Sequence, residues 1–228
     1  MFKKTIHYYT GEIPLFIENI FKKNTIRNIA DLGVGHGAIL YSLFKKGYLD
    51  NIERVIAVDI SKASLDTVKK ISSKILCILA DTCKLDMLDD SSLDLVISTQ
   101  VIEHIEDENK FIEEVYRILK QGGFFYLSTV YKKWYAWYFY RCNGRWTLDP
   151  THLREYNDED TFLNKLKTYN FQILANKKTM HWFPVTDFIF KRIGMGVNIY
   201  HKKHIKLLRL IKVPILGYYN WELVFKKI

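Results

Sequence analysis

The feature that most constrains the fold is a glycine-rich run, IADLGVGHGA, at residues 29–38. It continues an apolar segment typical of a buried strand, and LYSLFKKG follows it with apolar residues at helical spacing. Gly33, Gly35 and Gly37 lack a Cβ, so the chain can turn tightly and a ligand can approach the backbone. The following helix leaves its first N–H groups free to face that ligand. The pattern predicts a nucleotide-type cofactor site at the carboxyl edge of a parallel sheet.

Asp31, two residues before the first glycine, separates two classes of cofactor. Gly33, Gly35 and Ala38 formally satisfy the dinucleotide pattern G-x-G-x-x-G/A. The Asp31 carboxylate would face the pyrophosphate of a dinucleotide, and like charges in a partly desolvated loop repel strongly. S-adenosylmethionine carries an ammonium and a sulfonium and no phosphate, so it avoids this conflict. The acid therefore favours S-adenosylmethionine over a nicotinamide cofactor.

From this loop onward the chain resembles the class I S-adenosylmethionine-dependent methyltransferases, in their small-molecule O-methyltransferase-like branch. Five further segments match in order between residues 55 and 174, and a final strand is expected at Trp221–Lys227. The segments are VIAVDIS, ILCILADTCKLDM, SLDLVISTQVIEHI, EVYRILKQGGFFYLSTV and HLREYNDEDTFLNKLKTYNFQIL. A single motif of this kind is weak, whereas the ordered set is specific.

The resemblance implies an α/β, Rossmann-like fold with a seven-stranded, mostly parallel sheet, helices on both faces and an antiparallel last strand. The alternation of strands and helices from Arg27 to Val130 independently indicates parallel strands with right-handed crossovers. A length of 228 residues agrees with a single domain over 1–228.

Four local predictions concern helices and strands outside the glycine loop. A helix is expected at Ile13–Lys22 and another at Glu159–Thr168, with Asn157 or Asp158 as the N-cap of the second. Gly122 and Gly123 are expected to end the helix that precedes them. A short strand is expected at Phe171–Ala175.

The resemblance also assigns residues to the cofactor. In this family the acid that ends the second strand accepts hydrogen bonds from both ribose hydroxyls. The residues after the third strand flank the adenine, and the fourth strand leads to the methyl group. The cofactor-binding residues so implied are Asp31, Gly33, Gly35, Gly37, Asp59, Ile60, Asp81, Thr82 and Gln100.

The loop after the fourth strand, QVIEHI at residues 100–105, carries the candidate catalytic residues Glu103 and His104. It resembles the loop of quinone-biosynthesis O-methyltransferases and small-RNA 2′-O-methyltransferases, whose metal-binding members use an acid, two residues and then Glu-His. Gln100 replaces that acid and is a poorer ligand for a hard cation, so no metal ligand is predicted. His104 stays open as a base, as a ligand completed by His152, or as a packing residue.

Two segments exceed the minimal fold and are predicted to form acceptor-side lids, at residues 131–156 and 180–219. The first is dense in aromatic residues, which either pack on the sheet edge or line an apolar acceptor pocket. The second contains HKKHIKLLRLIK at His201–Lys212, which predicts a basic amphipathic helix. That helix either caps the core or docks on an anionic membrane or a partner.

Charge divides the chain into two unlike parts. Residues 1–122 carry 16 Lys/Arg and 18 Asp/Glu, whereas residues 123–228 carry 18 Lys/Arg and 7 Asp/Glu. The net charge of the whole chain is +9. The basic part suits an anionic partner: a phosphorylated or acidic small molecule, a lipid headgroup or nucleic acid. A lysine-rich solvated surface accounts for it equally well.

The N-terminus and the cysteines indicate a cytoplasmic protein, with peripheral contact to a membrane as an open alternative. Glu12 and Glu18 interrupt the apolar residues that a signal peptide would need, and no apolar run of about eighteen residues occurs. The three cysteines show no metal spacing and are interpreted as buried thiols in a reducing compartment.

The sequence as a whole predicts an S-adenosylmethionine-dependent methyltransferase that acts on a small-molecule, glycan or lipid-linked acceptor, on oxygen rather than nitrogen. Two alternatives stay open. An RNA methyltransferase is favoured by the charge, but the chain lacks a separate RNA-binding module. A non-catalytic S-adenosylmethionine-binding protein would share the same fold.

Overall fold

A seven-stranded sheet with the strand order β3-β2-β1-β4-β5-β9-β8 forms the centre of the computed structural model. The structure describes residues 11–138, 140–142, 145–184 and 211–228. The strands of this sheet are β1 (Asn28–Leu32), β2 (Arg54–Asp59), β3 (Ile75–Leu79), β4 (Leu93–Thr99), β5 (Leu119–Lys132), β8 (Phe171–Pro184) and β9 (Lys212–Lys227). A separate hairpin pairs β6 (Tyr140–Cys142) with β7 (Arg145–Thr147).

Strand direction follows the predicted pattern. Strands β1 to β5 pair in parallel, and β9 runs antiparallel to both of its neighbours, β5 and β8. The mostly parallel sheet with an antiparallel last strand is therefore confirmed.

Helices cover both faces of the sheet, as predicted. Apolar residues of α1 (Leu15–Lys23), α2 (Ala38–Lys45) and α3 (Lys62–Val68) pack in one core cluster. Those of α4 (Glu108–Ile118) and α5 (Glu159–Thr168) pack in the cluster on the other face. The inner parallel strands β1, β2 and β4 are buried on both faces, and their sequences are accordingly mostly apolar.

The residues at the N-caps of α5 and α1 determine where these two helices begin. α5 spans Glu159–Thr168 and Asp158 caps it by accepting from the Thr161 N–H, so that prediction is confirmed. α1 begins at Leu15 rather than Ile13, since Pro14 stands at the N-cap with extended backbone angles.

The predicted role of Gly122 and Gly123 as a helix terminator is wrong. α4 ends at Ile118, and Leu119 already pairs with Leu93 as the first residue of β5. The glycines lie inside β5, opposite a register shift between Leu93 and Leu95, and Gly122 has φ = +78°. Between the pairs Leu93–Leu119 and Leu95–Phe124, β5 advances five residues and β4 only two, so the glycines lie in a bulge with three extra residues on β5.

The second predicted lid, 180–219, is partly sheet. β8 continues to Pro184 and β9 starts at Lys212, so both strands run well beyond the short strands predicted at 171–175 and 221–227. The predicted basic helix at His201–Lys212 lies outside the described residues, except for its last two positions, and Lys212 belongs to β9.

Two further expectations concern the cysteines and membrane-spanning helices. Cys77 and Cys83 are free but only half-buried, so the interpretation as fully buried thiols is wrong for both. Within the described ranges, each helix is too short or too polar to cross a bilayer.

Candidate functional site

The glycine loop joins β1 to α2 and turns on three residues with positive φ. Gly33, Gly35 and Gly37 have φ values of 69°, 52° and 79°, a region that disfavours residues with a Cβ. A Cβ on Gly33 would lie 2.4 Å from Val101 Cγ2, so this glycine is required by packing. A Cβ on Gly35 would meet no atom of the described residues within 4 Å, so this glycine faces open space beside them. The loop thus has one side against the protein and one side free for a ligand.

Two acids lie beside the loop. Asp31 is 1% exposed, and its Oδ1 has no hydrogen-bond partner in the described part of the chain. Burial, and then the neighbouring charge of Asp59, raise the pKa of Asp31 to about 7. Asp59 accepts from the Gly35 N–H at 2.8 Å and from the Ser61 N–H at 2.7 Å, which ties β2 to the loop. A cationic group placed beside Asp31 would satisfy it.

The remaining predicted cofactor residues lie along the same carboxyl edge. Ile60 follows β2 and is 77% exposed, an unusual position for an apolar side chain. Thr82 is buried, and Asp81 accepts from the Cys83 N–H at 2.8 Å. Gln100 follows β4 with φ = +55° and donates to Asn220 Oδ1 at 3.3 Å.

Glu103, His104 and His152 come together although 48 residues separate the last two in sequence. One carboxylate oxygen of Glu103 and one ring nitrogen of each histidine all lie within 4.8 Å of one another. The two imidazole rings meet edge to face with centroids 4.9 Å apart. The cluster therefore contains the predicted catalytic pair and the lid histidine.

Glu103 is the buried member of the cluster. Its Oε2 accepts from the Thr129 hydroxyl at 2.8 Å, while its Oε1 has no partner in the part of the chain that the structure describes. Burial raises the pKa of the Glu103 carboxyl. A buried oxygen without a donor costs free energy, so this position suits a group that brings a proton or a positive charge.

The segment 131–156, which the sequence predicts to be a lid, is bonded to the loop after β4 by main-chain and guanidinium contacts. The N–H groups of Leu153 and Arg154 donate to the Glu103 carbonyl at 2.9 and 3.3 Å. The Arg154 guanidinium donates to the carbonyls of Ile102, Ile105 and Glu106. These bonds hold His152 against Glu103 and His104, and no sequence pattern indicated them.

Glu155 is a second residue that the sequence analysis missed. Its Oε1 lies 2.6 Å from the Leu148 N, 2.8 Å from the Thr147 hydroxyl and 3.2 Å from His152 Nδ1. Its Oε2 forms an ion pair with Lys132 at 3.1 Å. Burial would raise the pKa of Glu155, but these donors outweigh it and lower that pKa to about 2.

Hydrogen bonding also fixes the state of the His104 ring. His104 Nδ1 lies 3.2 Å from the Thr151 carbonyl oxygen. The Thr151 hydroxyl lies 3.3 Å from the same nitrogen and donates its proton to Asp149 Oδ1 at 2.7 Å. Both oxygens therefore act as acceptors towards His104, which assigns the proton of a neutral ring to Nδ1 and the lone pair to Nε2. The ring is thus held ready to accept a proton at Nε2.

The chain matches known proteins over the segment that forms this site. Residues 30–127 match the methyltransferase domain family. The chain is 32% identical over 145 residues to a "Probable S-adenosylmethionine-dependent methyltransferase" of Mycolicibacterium smegmatis, covering 63% of this chain and 51% of that protein. It is 30% identical over 142 residues to the mitochondrial ubiquinone biosynthesis O-methyltransferase of Dictyostelium discoideum, covering 56% and 44%.

The match identifies residues 30–127 as a methyltransferase domain, and similar proteins are named S-adenosylmethionine-dependent methyltransferases, as the resemblance implies. These matches support S-adenosylmethionine as the cofactor. The chain spans about half the length of these two curated relatives.

Likeness to solved structures supports the methyltransferase fold alone. The [4+2]-cyclase SpnF superposes with a TM-score of 0.64 at 15% identity, covering 93% of this chain and 79% of that one. That protein is named a cyclase, so this fold does not dictate methyl transfer. The side chains at the site, and not the fold, therefore determine the reaction.

Proposed function

We propose that the protein transfers a methyl group from S-adenosylmethionine to a hydroxyl oxygen of a small-molecule acceptor. The observation that carries the proposal is the Glu103–His104–His152 cluster, placed at the carboxyl edge of the sheet where the glycine loop also ends. Ligands of open α/β sheets bind outside this edge. Glycan precursors and lipid-linked hydroxyl compounds belong to the same acceptor class.

The residues of the glycine loop fit the cofactor. The unpartnered Asp31 Oδ1 suits the ammonium group of S-adenosylmethionine, and the open space at Gly35 leaves room for the ligand against the backbone. Asp59 is placed to accept from ribose hydroxyls with the lone pairs that its two backbone donors leave free. The exposed Ile60 offers an apolar surface to the adenine.

When bound, the cofactor supplies a methyl group on a sulfonium, whose sulfur leaves as a neutral thioether. The protein holds acceptor and methyl in line and keeps water out. A neutral hydroxyl must also lose its proton. His104, with its Nε2 lone pair, takes that proton, and the buried Glu103 stabilises the imidazolium that forms.

Three observations favour this function over the alternatives. A non-catalytic binding protein has no use for a buried carboxylate with an unpartnered oxygen beside two histidines. The relatives named for ubiquinone biosynthesis act on a small molecule according to their names. RNA methylation is favoured only by the net charge of +9, which concerns association rather than chemistry.

Substitutions in the cluster test the proposal. In His104→Ala, turnover of S-adenosylmethionine to S-adenosylhomocysteine in the presence of a small-molecule extract should fall about 10²–10⁴-fold. Cofactor affinity measured by calorimetry should stay within about twofold of wild type, because His104 acts on the acceptor. Glu106→Gln, an exposed acid of the same loop, is the matched control and should turn over normally. Normal turnover in His104→Ala would refute the proposed base.

A chelator distinguishes the proton-accepting cluster from a metal site. One carboxylate and two imidazoles are also a donor set for a transition metal. We expect unchanged turnover after treatment with a chelator. Loss of turnover that a divalent cation restores would instead assign the three side chains to a metal.

A further inference from the structure

Within the lid, Glu155 occupies a position that the chemistry of the cluster leaves unexplained. It is a carboxylate with 7% of its side chain exposed, three residues after His152. Burying such a charge is costly unless several donors surround it. The donors around Glu155 therefore decide what this side chain does in the lid.

The contacts divide between the two oxygens. Oε2 is paired with Lys132 Nζ at 3.1 Å and accepts from the Tyr218 hydroxyl at 3.4 Å. Oε1 lies near the Leu148 N–H and the Thr147 hydroxyl, and its third neighbour is His152 Nδ1 at 3.2 Å. A carboxylate paired with a lysine only accepts, so His152 Nδ1 must donate. The proton of the neutral His152 ring is thereby placed on Nδ1.

We propose that Glu155 is a positioning residue that holds His152 as its Nδ1–H tautomer and so leaves the Nε2 lone pair to the cluster. This rests on the proposed function, in which His104 takes the acceptor proton with Glu103 and His152 beside it; a lone pair on His152 Nε2 then supports the cluster without competing for Glu103 as a donor. Both histidines then carry a proton on Nδ1, one set by the Thr151 carbonyl and the other by Glu155. Outer partners that fix the ring state of a functional histidine commonly change activity about 10–100-fold when removed.

Removing Lys132 and Glu155 together leaves neither charge of this buried ion pair without its partner. The double variant Lys132→Met, Glu155→Leu removes the acceptor and its ion-pair partner together. The single variant Lys132→Met is the matched control, since it keeps the carboxylate that faces His152. Should the double variant fail to fold, Lys132→Met, Glu155→Met removes the same acceptor and the same two charges with a more adaptable apolar side chain.

Nitrogen-15 NMR of histidine-labelled protein in alkaline buffer reports the tautomer directly. Wild type and Lys132→Met should show His152 with its proton on Nδ1, whereas the double variant should shift it towards the Nε2–H form. The double variant should also lower kcat about 10–100-fold with little change in the KM for S-adenosylmethionine. A purely structural role would lower stability in both variants without moving the tautomer.

The failures of the two proposals are distinguishable. An unchanged His152 tautomer in the double variant would overturn the role of Glu155. That role is also overturned if the double variant keeps the wild-type kcat while His152→Ala lowers it. In that case the proposed function still stands. If His152→Ala, His104→Ala and the double variant all turn over normally, the proposed function fails and the role of Glu155 with it.

Discussion

At the scale of single residues, buried polar atoms without partners mark the site. Within the described part of the chain, the unpartnered oxygens of Asp31 and Glu103 lie at the carboxyl edge of the sheet, and each residue is at most 1% exposed. Such groups cost stability in the ligand-free protein and gain partners when a ligand binds. The resemblance identified both residues from sequence, but only the structure shows which oxygen of each is unpaired.

The raised pKa of Asp31 makes cofactor affinity depend on pH. Because this pKa is about 7 in the free protein, Asp31 holds a proton below pH 7 and releases it to pair with the cofactor ammonium. The dissociation constant should fall about tenfold per pH unit from pH 5.5 to 7 and level off above, until the cofactor amine loses its proton near pH 8.

Calorimetry in buffers of different ionisation enthalpy measures how many protons are released when the cofactor binds. Wild type should release close to one proton on binding S-adenosylmethionine at pH 6, and Asp31→Asn should release almost none. An affinity that is flat between pH 5.5 and 7 would show that Asp31 is ionised before the cofactor arrives.

At the scale of elements, sequence patterns determined some boundaries and not others. α5 and its cap follow from a short local signal, the Asp158 side chain and the Thr161 N–H. The extension of β8 and β9 was missed because these ends are stabilised by pairing with each other, as in Trp182 opposite Pro214. Gly122 and Gly123 were misassigned because a glycine pair is equally typical of a helix end and of a bulge.

At the same scale, the Arg154 side chain connects the predicted lid segment to the loop after β4. Its guanidinium, 28% exposed, donates to three carbonyls of residues 102–106. Arg154→Met should destabilise the protein by about 1–3 kcal/mol, since those carbonyls lose charged donors. The melting temperature should fall by about 2–4 °C for each kcal/mol.

Hydrogen exchange locates the effect of this change. The amides of residues 102–106 and 151–154 should exchange faster in Arg154→Met, while those of α1 stay protected. Arg154→Lys, which keeps the charge near Glu108 but cannot reach all three carbonyls, should fall in between. Unchanged exchange in the loop would mean that the main-chain hydrogen bonds to the Glu103 carbonyl are enough to hold the two segments together.

At the scale of the whole molecule, the sequence predicted the sheet, its strand directions and the cofactor edge. Long apolar strands and a glycine loop are local patterns, so they can be recognised without coordinates. The Glu155 network joins residues 132, 147–155 and 218, which only folding brings together. The acceptor side, which is also the basic part of the chain, is therefore what the sequence describes least.

The identity of the methylated molecule tests the proposed function most directly. The protein is incubated with methyl-labelled S-adenosylmethionine and a cell extract separated into small-molecule, lipid and RNA fractions. Gly35→Val serves as the control, because its side chain fills the space left for the cofactor. We predict S-adenosylhomocysteine together with label on a hydroxyl oxygen in the small-molecule or lipid fraction. Label confined to RNA, or no S-adenosylhomocysteine from any fraction, would contradict the proposed function.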